Sequence, residues 1–89
     1  AQKVSEKLAV IARNHQVICI THLAQIAAMA DAHYAIEKQV EDGVTKSKIS
    51  RLSKEQEIEE LARILGGAKI TDTVMQSAAE MKELAERTK

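Results

Sequence analysis

The run Val17-Ile18-Cys19-Ile20 constrains this chain more than any other feature. Consecutive apolar, mostly β-branched residues without polar alternation suggest a strand buried on both faces, as in a parallel sheet. Upstream of it, Val4, Leu8, Ile11 and Ala12 recur at helical spacing, so residues 2–14 read as an amphipathic helix with Asn14 as its stop. A helix leading into a doubly buried strand is half of a βαβ unit, and the first strand of that unit is expected upstream. Ala1-Gln2-Lys3-Val4 runs straight into the helical pattern without an initiator Met, which suggests a piece of something longer.

The same conclusion follows from what must fill the core. The 89 residues are 45% apolar, enough to fold as one small domain over 1–89, but they include no Phe or Trp and a single Tyr. Leu, Ile, Val, Ala and Met bury less area per residue than aromatic anchors, so a chain this short is expected to lean on a partner surface. Lys and Arg number 13 against 13 for Asp and Glu, which gives no electrostatic case for nucleic-acid binding by this segment. One Cys makes no internal disulfide, no apolar run approaches the roughly 20 residues that span a bilayer, and no signal peptide is visible. The expected setting is a soluble, cytoplasmic protein without membrane partners.

Beyond the apolar run, Leu23, Ile26, Ala27 and Ala30 mark a short helix over 23–31. Segments 33–41 and 44–52 flank Asp42-Gly43, a strong two-residue hairpin signal. Pairing Glu41 with Val44 sets Ile36 opposite Ile49 and Glu37 opposite Lys48, both favourable cross-strand pairs. Ser53 with Gln56 forms a capping box for a helix carrying Ile58, Leu61, Ala62 and Leu65, and Gly66-Gly67 ends it. Thr71 or Thr73 caps a last helix with Val74, Ala78, Met81 and Ala85 on one face. The expected fold class is α/β, in the order α-β-α-β-β-α-α.

Thr21-His22 falls at the carboxyl end of the expected parallel strand, just before a helix. Ligands of open α/β sheets bind outside strand carboxyl ends, and a helix N-terminus there suits phosphate. An imidazole in that place can donate to a terminal phosphate or orient the attacking water. A single His at a strand end also serves as a capping or supporting residue, so the residues alone leave both roles open. His15, Cys19, His22 and His33 fit no common zinc spacing. Cys19, inside the apolar run, reads as a buried small hydrophobe. The charged stretch 54–60 reads as a solvated helix face, and Met75 and Met81 as packing residues. Lys46, Lys48 and Arg51 of the hairpin lie beside Glu37, Glu41 and Asp42, which weakens them as a DNA contact.

Residues 15–31, HQVICITHLAQIAAMAD, resemble the switch-histidine region of the RecN family, relatives of the SMC and ABC-type ATPases. Ile58-Glu59-Glu60-Leu61-Ala62-Arg63-Ile64-Leu65-Gly66-Gly67, Ile70-Thr71-Asp72 and the final Ala-rich helix resemble that family's C-terminal segment, so the likeness covers essentially the whole chain. The resemblance implies the C-terminal portion of an ABC/SMC-type P-loop ATPase head acting in double-strand-break repair and recombination. His22 would be the switch histidine that reaches the γ-phosphate of ATP when two heads close. Thr21 would set its backbone, and Gln25 matches the pattern without a secure chemical role. Ala24 stands where family members often have Pro, which softens the entry to the helix. The resemblance further implies ATP and Mg2+ as ligands of the full-length protein, the rest of the same head and a second head of a homodimer as partners, DNA contact through the full-length protein, and a nucleoid-associated role.

The segment by itself lacks most of that machinery. Its three glycines are Gly43, Gly66 and Gly67, and none opens a phosphate loop. No acidic pair closes an apolar strand to hold magnesium, and no signature motif is present. On this reading the fragment alone neither binds ATP tightly nor hydrolyses it. A non-catalytic α/β module that self-associates or pairs with another protein is the alternative, and an ABC transporter subunit a lesser one.

Overall fold

The computed structural model describes residues 2–89. It combines four helices with one antiparallel hairpin: α1 (Gln2–Ala12), α2 (Ala24–Ala28), β1 (Tyr34–Glu41), β2 (Val44–Arg51), α3 (Lys54–Gly66) and α4 (Asp72–Thr88). The mixture of helix and strand is as expected, but the order is α-α-β-β-α-α.

The difference lies in residues 17–20, which carry no regular secondary structure. Ile18 is 85% exposed and Ile20 87% exposed. A strand exists only by exchanging backbone hydrogen bonds with a neighbour. The sheet of the described residues has two strands, β1 and β2, which pair with each other. With no partner strand among the described residues, the apolar run stays open. Cys19 is correspondingly exposed rather than buried.

The helical body centres on α3 and α4. Ser53 Oγ accepts from the Gln56 amide at 3.2 Å while Gln56 Oε1 accepts from the Ser53 amide at 2.9 Å, so the capping box is complete. Gly67, at φ 65°, terminates α3, its amide donating to the Arg63 carbonyl. Such positive φ is open to glycine without a Cβ clash. Thr71 then caps α4, its Oγ1 accepting from the Val74 amide at 3.2 Å. Leu61, Ala62 and Ala78 are fully buried between the two helices, with Ala24, Ala28 and Ala85 completing the core. Ile58, Ile64, Val74, Met75 and Met81 pack around it, the two methionines in the filling role expected of them. Leu65 is 42% exposed, and Ile64 takes the inward place instead.

Helix α1 presents a different face from the expected one. Ser5 is buried, its hydroxyl donating to the Gln2 carbonyl at 2.7 Å, and Leu8, Ala9 and Ala12 are half-buried beside it. Val4 and Ile11 are exposed. The apolar stripe is therefore wider than the surface that this chain offers to cover it.

The hairpin register is as expected: Glu41 pairs with Val44, Ile36 with Ile49 and Glu37 with Lys48. Asp42 (φ 51°) and Gly43 (φ 76°) both take positive φ, as a type I′ turn requires. Alternation puts Tyr34, Ile36, Lys38 and Val40 on one face with Thr45, Ser47, Ile49 and Arg51. All eight of these residues are exposed.

If Leu61 is the centre of the body, Leu61→Ala should cost about 2–5 kcal/mol through lost transfer energy plus a cavity. Leu65→Ala, one turn away on the exposed side, should cost about 1 kcal/mol or less. Urea unfolding of both variants measures this, and equal losses would contradict the packing described.

Candidate functional site

The turn into α2 holds the expected site residues. Thr21 is half-buried, and its Oγ1 accepts from the Leu23 amide at 3.0 Å. This hydroxyl-to-backbone bond ties Thr21 to the residue that precedes α2. His22, between them, is exposed. Leu23 is the N-cap of α2 and offers no side-chain cap. Gln25, one turn further, is exposed along a shallow groove between α1, α2 and α4, beside Ser5, Met29, Met81 and Leu84. Thr21 and His22 thus sit together in the segment before α2, and Gln25 lines a separate groove. None of the three stands at the end of a formed strand.

The glycines are occupied with turns. Gly43 makes the hairpin tip and Gly67 the C-cap of α3, while a Cβ on Gly66 would come within 3.1 Å of Val74. Among the described residues no group of three His, Cys, Asp or Glu side chains is placed to hold a metal ion. No helix of the described residues is long and apolar enough to cross a membrane.

A second polar cluster escaped sequence reasoning. Lys82 of α4 donates to the carbonyls of Ala28 at 3.2 Å and Ala30 at 2.8 Å, and its Nζ lies 2.9 Å from His33 Nε2. Glu57 of α3 is buried, with Oε1 3.9 Å from His33 Nε2 and 3.8 Å from Lys82 Nζ. Glu86 flanks Lys82 at 3.4 Å. Burial, reinforced by the Lys82 ammonium and opposed by Glu57, holds the His33 imidazole below its ordinary value of 6.5. The stretch 54–60 is thus not wholly a solvated face, because Glu57 turns inward. The one available signal was that Glu57 shares a helix face with Leu61, four residues on.

Comparison with known proteins decides the family. The chain is 39% identical over all 89 of its residues to the DNA repair protein RecN of Bacillus subtilis. It is 45% identical over 78 residues to the protein of that name from Deinococcus radiodurans, and 41% identical over 86 residues to that from Mycobacterium tuberculosis. The chain belongs to the RecN family. It covers 16% of the Bacillus RecN and 14% of each of the other two, matching the C-terminal part of these relatives. No protein-family model matches it.

For this RecN segment the buried cluster sets a measurable order of sensitivities. Lys82→Met removes the donor to two backbone carbonyls and should cost about 1–3 kcal/mol. Arg87→Met, which breaks a solvent-exposed pair with Glu83, should cost far less. Urea midpoints of the two variants give the comparison, and a larger loss for Arg87→Met would overturn it.

Proposed function

We propose that this segment is the C-terminal part of an ATP-hydrolysing head of a DNA-repair protein, and that His22 is the side chain it contributes to ATP turnover. The observation that carries this reading is the match to RecN proteins along the whole chain. The ring of His22 also has no job in holding this fold. It is exposed, while the neighbouring Thr21 hydroxyl fixes the backbone on which it is carried. An exposed imidazole beside a backbone so tied can stabilise charge on a terminal phosphate when that phosphate is brought to it.

The open apolar surface supports the same reading. Val4, Ile11, Ile18 and Ile20 are all exposed. Pairing 17–20 with strands supplied by the rest of the head would bury that run and set Thr21-His22 at the strand's carboxyl end. The phosphate loop and the magnesium ligands then belong to the remainder of the polypeptide, and catalysis to a full-length protein whose heads engage in pairs. DNA contact likewise falls to the full-length protein.

In that full-length protein, His22→Ala should lower the ATP turnover rate by about 10²-fold or more while ATP binding and folding persist. Unchanged turnover would remove His22 from the reaction. The exposed apolar faces also favour a second reading, a non-catalytic self-association module. Both readings expect the isolated chain to self-associate at high concentration, and a stable monomer in light scattering would count against that expectation. Loss of turnover on substituting His22 is what separates them.

A further inference from the structure

The hairpin has a narrow attachment to the helical body. No helix packs across its outer face, where Tyr34, Ile36, Val40 and Ile49 lie exposed. The Leu52 amide donates to the His33 carbonyl at 2.9 Å as the next rung of the hairpin's own ladder, and the His33 side chain is buried against α3 and α4. His33 therefore closes the base of the hairpin with its backbone and joins that base to the body with its ring.

The bonding at that ring allows one protonation state. An ammonium has three N–H donors and no acceptor. Those of Lys82 are directed to the Ala28 carbonyl, the Ala30 carbonyl and His33 Nε2, at 3.2, 2.8 and 2.9 Å. Nε2 must then be the acceptor, so the ring is neutral with its proton on Nδ1. A proton added to Nε2 would face the ammonium donor to donor. The charged ring has an alternative partner in Glu57, 3.9 Å away, and the displaced Lys82 has Glu86 at 3.4 Å.

We propose that His33 and Lys82 form a proton-operated latch that fixes the hairpin to the helical body while the imidazole is neutral and frees it when the imidazole is protonated. The charged groups around the ring divide between the two states. Lys82 and Lys89 of the α4 end disfavour the charged ring, Glu57 of α3 and Glu86 of α4 favour it, and the Glu60 carboxyl on α3 also senses it. Asp31, in the loop leading to His33, is paired with Lys89 at 3.0 Å. The direction follows from linkage. The closed-state ring takes up its proton below the ordinary 6.5 of a free histidine, so the latch is fully held above that pH. It is lost as the pH falls through the lower, closed-state value.

Amide hydrogen exchange at Leu52, corrected for intrinsic rates, reads opening of the hairpin base that the latched ring holds in the 89-residue chain. Between about pH 7.5 and about pH 5 its protection should fall by about tenfold for every unit by which closure holds the ring below its free value. The fall should begin near the free value of 6.5 and level off at the closed-state His33 ring titration followed by NMR. His33→Gln supplies an acceptor that does not titrate, so its Leu52 protection should stay level over the same range while His15 and His22 remain in place. Protection that is level in the unsubstituted chain, or that falls equally in His33→Gln, would overturn the latch. Should His33→Gln fail to fold, the unsubstituted chain decides alone: protection that keeps falling well below the ring titration overturns the proposal, and a fall that levels off at that titration supports it.

Discussion

The close approach of α3 and α4 through small side chains is the constraint on which the remaining structure rests. With the single aromatic residue, Tyr34, exposed on the hairpin, the two helices must come near enough for Leu61, Ala62 and Ala78 to exclude water completely. Ala24 and Ala28 of α2 then pack on the same centre, and α1 reaches the body through Ser5, a residue whose hydroxyl is satisfied within its own helix. Each contact is small, so the fold depends on proximity more than on the size of any one side chain.

The polar node around Lys82 complements this packing. Helix α2 is only five residues long, and the carbonyls at and beyond its end need donors. Lys82 supplies them from α4, across a sequence separation of 54 residues for Ala28. One ammonium thus closes a helix end, orders the loop that follows and fixes the hairpin base, with Glu57 balancing its charge from α3. The node substitutes directed hydrogen bonds for the apolar area that a core of this composition lacks.

What was legible in the sequence was the local chemistry. Asp42-Gly43 specified the turn and hence the register, Ser53 with Gln56 and Thr71 marked the helix starts, and the Val74-Ala78-Met81-Ala85 stripe marked the buried face of α4. These features depend on neighbours within a few residues. The open run at 17–20 defeated the same reasoning, because a strand is defined by its partner and the described residues offer none for it. Ser5, Glu57 and His33 were missed for the related reason that their burial depends on contacts far along the chain. For the candidate site, Thr21 and His22 were singled out by their types and spacing, while the bond from the Leu23 amide to the Thr21 hydroxyl needed coordinates.

Gly66 shows how such packing limits the drift of the chain over time. Its α-carbon faces Val74, where even a methyl group would intrude to 3.1 Å, while the next residue already adopts a left-handed conformation. The paired glycines therefore answer two separate demands, one steric between helices and one conformational within the turn. An alanine would satisfy neither fully, and a compensating change at 74 would relieve only the first. Adjacent positions under independent pressures are unlike a spacer, where one glycine can stand in for the other.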